Sequence, residues 1–305
     1  FSGTESVNAR FEEIYLPDSI TSIGAAAFYW NPSLKTIRFP AHLEVIPSFA
    51  LYQCSSLSQI IWPESMKEIG EYAFGKISGI QTLTIPEGVE RIGTAAFSTC
   101  NRLVEIKLPE SLVEIEESVF WSCEKLKQLH LPQDLEKVPS NLCYNCTALE
   151  EVQLPQKATT IGDGAFNGCK ALCSIILPST LQTIEEKAFY GCPLTELTLP
   201  ATVTSIGDSA FTANCLTEVD LPDSLSYLGS NAFGSASLSF EEEERCKYLD
   251  NWLVSLSREG NSTYTVREGT VGIAKDVIGF KHYPDYPDHY VTTLNLPASL
   301  QHVYE

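Results

Sequence analysis

Three groups of residues in this chain have the types that chemistry uses. The first is a set of cysteines with a common spacing. Cys54, Cys100, Cys123, Cys146, Cys169 and Cys192 stand 23 residues apart or a multiple of it, and Asn31 and Asn214 hold the same column near its two ends. Thiolates ligate metals and attack electrophiles, but a structural zinc site needs four ligands that converge. A disulfide framework pairs cysteines across a small, loop-rich fold. One column at a long interval does neither. It fits a small side chain turned inward at a bend, where a buried free cysteine fills space and touches the backbone. A bridge between neighbouring turns of the chain remains an alternative. Cys143, Cys173, Cys215 and Cys246 lie off the column, with Cys173 at a variable position.

The second group is FKHYPDYPDHY at 280–290, with His282, Asp285, Asp288 and His289. Imidazole and carboxylate are metal ligands, but Pro284 and Pro287 break any helix that would present them one turn apart. The segment reads as a tyrosine- and proline-rich surface loop suited to contact. The third group is the remaining histidines, His42, His130 and His302, which are scattered. Nucleophilic catalysis needs a base within reach of the nucleophile, and neither a G-x-S-x-G nor a glycine-rich phosphate loop is present. The sequence therefore predicts no catalytic residue, no metal ion and no cofactor. A hydrolase or metal-dependent enzyme built on 280–290 is the competing reading from another class.

What would position these residues is a repeat. An apolar residue followed by proline recurs at Pro17, Pro40, Pro63, Pro86, Pro109, Pro132, Pro155, Pro178, Pro200 and Pro222, seven times at 23 residues and then twice at 22. A fixed period of this length marks a solenoid or propeller. With the proline as position 0, positions +3 and +6 are aliphatic, +10 is mostly Ala, and +11 carries Phe28, Phe74, Phe97, Phe120, Phe166, Phe189, Phe211 and Phe233. Leu51 and Cys143 stand in for Phe, and both are apolar. One repeat cannot bury so many apolar side chains alone, but stacked neighbours can. The L-x-x-I-x-L-P stretch alternates in and out like a strand and stops at the proline, which cannot donate to a ladder. The Ala-Phe stretch is too short for a stable helix of its own and is expected to form a short helical or 3₁₀ turn.

These columns resemble the BspA-like leucine-rich repeat family, whose motif reads roughly LxxIxLPxxLxxIgxxAFxxCxx. ILPSTLQTIEEKAFYGC (176–192) and TIPEGVERIGTAAFSTC (84–100) carry the match, which extends over about residues 11–240. The resemblance implies a curved right-handed leucine-rich-repeat solenoid, mainly β, with a parallel sheet along the stack. It also implies a secreted or surface-anchored protein of a host-associated bacterium, with adhesion or protein binding as its role. The family motif contains no catalytic residues.

The regularity fades after Ser239. Residues 1–240 read as the solenoid. Residues 241–305 read as a degenerate repeat with an insertion, ending in a cap or a continuing repeat. YTVREGTVGIAKDVIGF (264–280) aligns with TIPEGVERIGTAAF, Pro297 restores the ruler, and YLDNWLVSL is expected to form strands that extend or cover the end of the core.

Net charge is −19, so nucleic acid and anionic lipid, which need a basic face, are disfavoured partners. No apolar run approaches the roughly 20 residues of a membrane helix, so direct insertion is not expected. The opening FSGTESVNAR has no signal-peptide pattern, from which cytoplasmic residence does not follow. What remains is a surface. The outward column before each proline reads Tyr15, Arg38, Ile61, Thr84, Lys107, His130, Gln153, Ile176, Thr198 and Asp220. Arg38, Ile61, Lys107, His130, Gln153 and Ile176 are the candidate binding face. The expected function is a non-catalytic protein-binding or adhesion module, extracellular or at the cell surface, with a protein or a glycan as partner. A passive spacer or stalk is the bland alternative.

Overall fold

The computed structural model describes residues 11–234, 237–243, 246–256, 263–277 and 293–304. The 280–290 segment, with His282, Asp285, Asp288 and His289, lies outside the described residues. Each 22- or 23-residue repeat makes one coil with three walls, numbered here from the coil that turns at Pro17. The chain stacks as a parallel-strand β-solenoid, and no helix occurs among the described residues.

The first wall holds the three residues before each proline step. Glu13–Tyr15, Thr36–Arg38 and Gln59–Ile61 pair in parallel, register to register. Thr82–Thr84, Glu105–Lys107, Gln128–His130 and Glu151–Gln153 form a second such group. The second wall follows the proline with two-residue strands. Val45–Ile46, Glu68–Ile69, Arg91–Ile92 and Glu114–Ile115 make one sheet. Lys137–Val138, Thr160–Ile161, Thr183–Ile184, Ser205–Ile206 and Tyr227–Leu228 make another. The two sheets part at Pro139. In the coils that join, the residue after the strand donates its N–H to the coil before, as Gly162 does to Val138 (2.9 Å) and Glu116 to Ile92 (2.9 Å). Proline has no such hydrogen to give. The same position is often glycine because the coils approach closely there: a Cβ on Gly162 would sit 2.6 Å from the Ser140 nitrogen.

The third wall carries the Ala-Phe stretch, and here the structure differs from the helical turn the sequence suggests. Amides alternate in direction. Ala50, Tyr52 and Cys54 donate to carbonyls three residues back in their own coil, while Phe49, Leu51 and Gln53 donate to Glu71, Ala73 and Gly75 of the next coil. A helix would send every amide back along its own chain. The alternation is made by left-handed residues at +9 and +13, such as Phe49 (φ 58°), Gln53 (φ 62°), Tyr72 (φ 50°) and Thr99 (φ 58°). Each such non-glycine residue costs roughly 1–3 kcal/mol and persists only where its surroundings fix it. Three coil-to-coil bonds at each step do so.

The core lies between the walls. Phe74, Phe97, Phe120, Phe166, Phe189 and Phe211 are essentially buried, with Phe28 and Phe233 nearly so. Neighbouring rings stack along the axis: Phe74–Phe97 at 5.4 Å, Phe97–Phe120 at 6.1 Å, Phe189–Phe211 at 5.3 Å and Phe211–Phe233 at 5.1 Å. Such offset stacking adds to the area each ring buries. The stack is interrupted at Cys143, which is buried in the place of a ring.

At the far end YLDNWLVSL forms an antiparallel pair, Cys246–Leu249 with Trp252–Leu256. Trp252 and Leu253 then pair in parallel with Gly272 and Ile273, which pair with His302 and Val303. Ala274 donates to Leu253 (2.9 Å) and Lys275 to Leu228 (2.9 Å), so the segment after Gly272–Ile273 bonds both to the hairpin and to the last second-wall strand. Thr263–Thr265 pairs in parallel with Thr293–Asn295, in the manner of first-wall strands.

Candidate binding surface

The cysteine column is interior. Cys54, Cys100, Cys123, Cys146 and Cys192 turn inward at the bend after the Phe and donate Sγ–H to the Phe carbonyl of the preceding coil, at 3.0–3.2 Å. Cys169 does the same to the carbonyl of Cys143 at 3.2 Å. Asn214 uses its amide nitrogen for the same bond, to Phe189 at 3.1 Å, and its buried Oδ1 has no hydrogen-bond partner. Asn31, at the first coil, turns instead to the Phe28 carbonyl of its own coil at 2.8 Å. All ten cysteines are free thiols. Burial pushes the Cys54 thiol up to about 12 and raises Cys123, Cys143 and Cys169 well above the ordinary thiol range. A thiol that does not ionise is a poor nucleophile and a poor metal ligand. Cys173 and Cys215 are exposed. Among the described residues no group of three or more His, Cys, Asp or Glu could hold a metal ion.

The outward column of the first wall is where the parallel register collects polar side chains. Tyr15, Arg38 and Ile61 are partners across three coils, Thr84 faces Lys107, and His130 faces Gln153. Arg38 is tied down. It meets Asp18 at 3.2 Å and the Leu16 carbonyl at 3.3 Å. Lys107 stands 3.8 Å from Glu105, and His130 Nε2 stands 3.6 Å from Glu151 across the strands. Both pairs are open to water, where an ion pair is worth about 0–1 kcal/mol, so these side chains stay free to change partners. Ile61 is 37% exposed and Ile176 85% exposed. The neighbouring column two residues earlier is also outward, except that Thr36, paired with Glu13 and Gln59, is buried.

Two other surfaces were not legible in the sequence. The parting of the second wall at Pro139 opens a cleft of about 410 Å³ lined by Glu114, Glu116, Lys137, Thr160 and Glu185. Glu116 is held below the usual carboxylate range by the Thr94 hydroxyl and the Arg91 guanidinium. On the third wall, Tyr29 stacks on Tyr52 at 5.5 Å and Phe49 on Tyr72 at 5.0 Å. These rings cover one another's faces, and Lys76 lies over Tyr52 at 5.3 Å.

A three-walled stack of 22- and 23-residue coils, with a consensus Phe and Cys inside and mixed polar rows outside, defines a leucine-rich-repeat solenoid. The model of the BspA type leucine rich repeat region matches the chain in overlapping stretches, 6–127, 67–172 and 136–251. The chain belongs to the BspA-type leucine-rich repeat family. It is similar to a leucine-rich repeat protein from Bacteroides ovatus, at 25% identity over 96% of this chain and 74% of that one, with a TM-score of 0.63. It is also similar to a leucine-rich repeat protein of T. pallidum, at 29% identity over 54% of this chain and 79% of that one, with a TM-score of 0.51. A leucine-rich repeat protein from Eubacterium ventriosum shares the fold, at 19% identity and a TM-score of 0.50, over 76% of this chain and 84% of that one. No curated protein matches the chain. Solenoids of this class present extended surfaces for interaction, and a protein-interaction or surface module is what the fold supports.

Proposed function

We propose that this chain is a non-catalytic binding module of a secreted or cell-surface bacterial protein, and that it engages a protein partner through the outward column of the first wall. The observation that carries the reading is the register that sets Arg38 beside Ile61, Thr84 beside Lys107, and His130 beside Gln153 in exposed rows. Rigid strands separated by one coil hold these side chains at about 4.8 Å intervals, a surface preorganised for extended contact. Apolar Ile61 and Ile176 in an otherwise polar row supply contact area that a solvent-facing strand does not need. A partner of this kind is a host extracellular-matrix or cell-surface protein, with a glycan as the second class to test.

The experiment is a binding screen of the purified chain against extracellular-matrix proteins and glycans at low and high salt. A saturable interaction that weakens when Lys107, His130 and Gln153 are replaced together is the expected result. An interaction indifferent to every first-wall substitution would overturn the assignment of this face.

A further inference from the structure

One junction in the stack is weak in two walls and in the core at once. Between coils 5 and 6 the second wall is parted, with Glu114–Ile115 and Lys137–Val138 in different sheets. Val113 and Thr159 donate their N–H groups to Glu90 and Glu136 of the coils before them, at 2.9 and 2.8 Å, and Glu136 makes no such bond. The first wall thins at the same place. It keeps one residue pair, Gln128 with Glu105, where the junctions on either side keep three. Those junctions are closed at the proline end by Ile85 N–H to the Lys107 carbonyl and Leu131 N–H to the Gln153 carbonyl, both 3.0 Å, and Leu108 has no counterpart bond. The Phe stack ends on Phe120 and resumes at Phe166, with Cys143 between. Among the described residues no ion pair joins coils 5 and 6, whereas Arg91 reaches Glu114 at 3.6 Å one junction earlier and Lys157 reaches Asp134 at 2.7 Å one junction later. The third wall is whole. Ser118, Phe120 and Ser122 donate to Ser140, Leu142 and Tyr144 at 3.0, 2.9 and 2.7 Å, and Cys146 Sγ–H reaches the Phe120 carbonyl at 3.0 Å.

We infer that the junction of coils 5 and 6 is a hinge, whose axis runs along the third wall and which opens toward the corner at Pro109 and Pro132. The first-wall pair that survives lies at the strand end next to the third wall, and the pairs that are lost lie toward the proline corner. A wedge opening about the third wall has this pattern. Two residues of coil 6 produce it. Pro139 has no hydrogen to give the second wall, and Cys143 removes a ring from the stack. No other junction combines the three weaknesses. The first-wall gap between Ile61 and Thr82 is spanned by the second-wall pair of Glu68–Ile69 with Arg91–Ile92 and by Phe74 on Phe97 at 5.4 Å. Coils 8–10 keep their second-wall pairs and their Phe stack. Coils 1 and 2 lack a second-wall pair, at Pro47, but their first wall keeps three residue pairs and is braced by Arg38 on Asp18 at 3.2 Å. The hinge falls between Lys107 and His130, so bending changes the angle between Arg38, Ile61 and Lys107 on one side and His130, Gln153 and Ile176 on the other. The hinge stands on the walls themselves; its use, fitting the two halves of the face to a partner's curvature, rests on the binding role proposed above.

The test measures distances between paired spin labels by double electron–electron resonance on the full chain, with the exposed Cys173 and Cys215 replaced by serine and the buried thiols left in place. One pair, on Glu64→Cys and Ser179→Cys, sits at the proline corner. The other, on Glu71→Cys and Glu186→Cys, sits on the third wall. All four positions are exposed, and each pair spans coils 3 to 8, about 24 Å along the stack. The proline-corner distribution is expected to be about twofold wider than the third-wall one. Pro139→Gly, which returns an N–H to the second wall, is expected to narrow it toward the third-wall width, and Pro139→Gly with Cys143→Phe to narrow it further. Where the larger ring keeps the double variant from folding, Pro139→Gly carries the test by itself. Equal widths for the two label pairs would overturn the hinge, and so would a proline-corner distribution that Pro139→Gly leaves unchanged. No partner enters the experiment, so its failure leaves the first-wall binding reading standing, and the failure of that reading leaves the hinge standing.

Discussion

Coils 5–7 and coils 8–10 carry the same first-wall pattern, an aliphatic residue flanked by two outward ones before a proline. In coils 5–7 the strands pair and Ile106, Leu129 and Val152 are buried. In coils 8–10 they do not pair, and Ile175, Leu197 and Val219 are half-buried. Two of the three open coils are those shortened by one residue, at Cys192-Pro193-Leu194 and at Cys215-Leu216, on the approach to this wall. A gap in one wall does not break the solenoid, because the gaps are staggered. The first wall parts between Ile61 and Thr82 and again after Gln153, and the second between Ile115 and Lys137. The third continues through all ten coils. At each first-wall gap the other two walls are closed, so cohesion is carried by the turn wall with its left-handed residues and its Phe and Cys columns. The first wall is left free to vary, which suits a surface used for contact.

This division of labour can be broken in several ways. The largest effect belongs to the Phe column. Phe120→Ala in the closed region and Phe189→Ala in the open one are each expected to cost ~3–5 kcal/mol in chemical denaturation, as large core cavities do. A clearly smaller cost for Phe189→Ala would mean that the open wall loosens the core itself. Next comes the thiol column. Cys146→Ala and Cys192→Ala each remove an Sγ–H bond to a Phe carbonyl, at 3.0 and 3.1 Å, and some buried volume. Each should cost about 1–2 kcal/mol, and unequal costs would again set the two regions apart in their interiors. The smallest effect has the opposite sign. Thr99 is β-branched and left-handed at φ 58°, so Thr99→Gly is expected to be neutral or stabilising by up to ~1 kcal/mol. Ala96→Gly, three residues earlier and fully buried, is expected to destabilise. A Thr99→Gly that costs as much as Ala96→Gly would remove backbone strain from the account of the third wall.

Much of this architecture is legible in the sequence because a period repeats its evidence ten times. The proline ruler, the aliphatic columns and the inward Phe at +11 each follow from burial that a single repeat cannot achieve. The outward column holding Lys107, His130 and Gln153 follows from strand alternation. Other features leave no such trace. Two-residue strands such as Glu68–Ile69 are too short to show a period of their own. The left-handed residues at +9 and +13 include Phe49, Tyr72, Lys76 and Thr99, types that give no signal for positive φ, because the conformation is imposed by the next coil. Pro139 is one of 17 prolines in the sequence, and only its place in the stack makes it a missing donor. The opening of the wall after Gln153 has a partial trace, the residue lost from each of the last two repeats, but 174–176 opens in a coil of full length.

The central claim is that the first wall is closed through coils 5–7 and open through coils 8–10 while the third wall holds throughout. Native-state amide hydrogen exchange, resolved by segment, tests it most directly. The account predicts rapid exchange at 174–176, 196–198 and 218–220, slow exchange at 105–107, 128–130 and 151–153, and slow exchange along the third wall in both regions. Equal protection of the two halves of the first wall would contradict it.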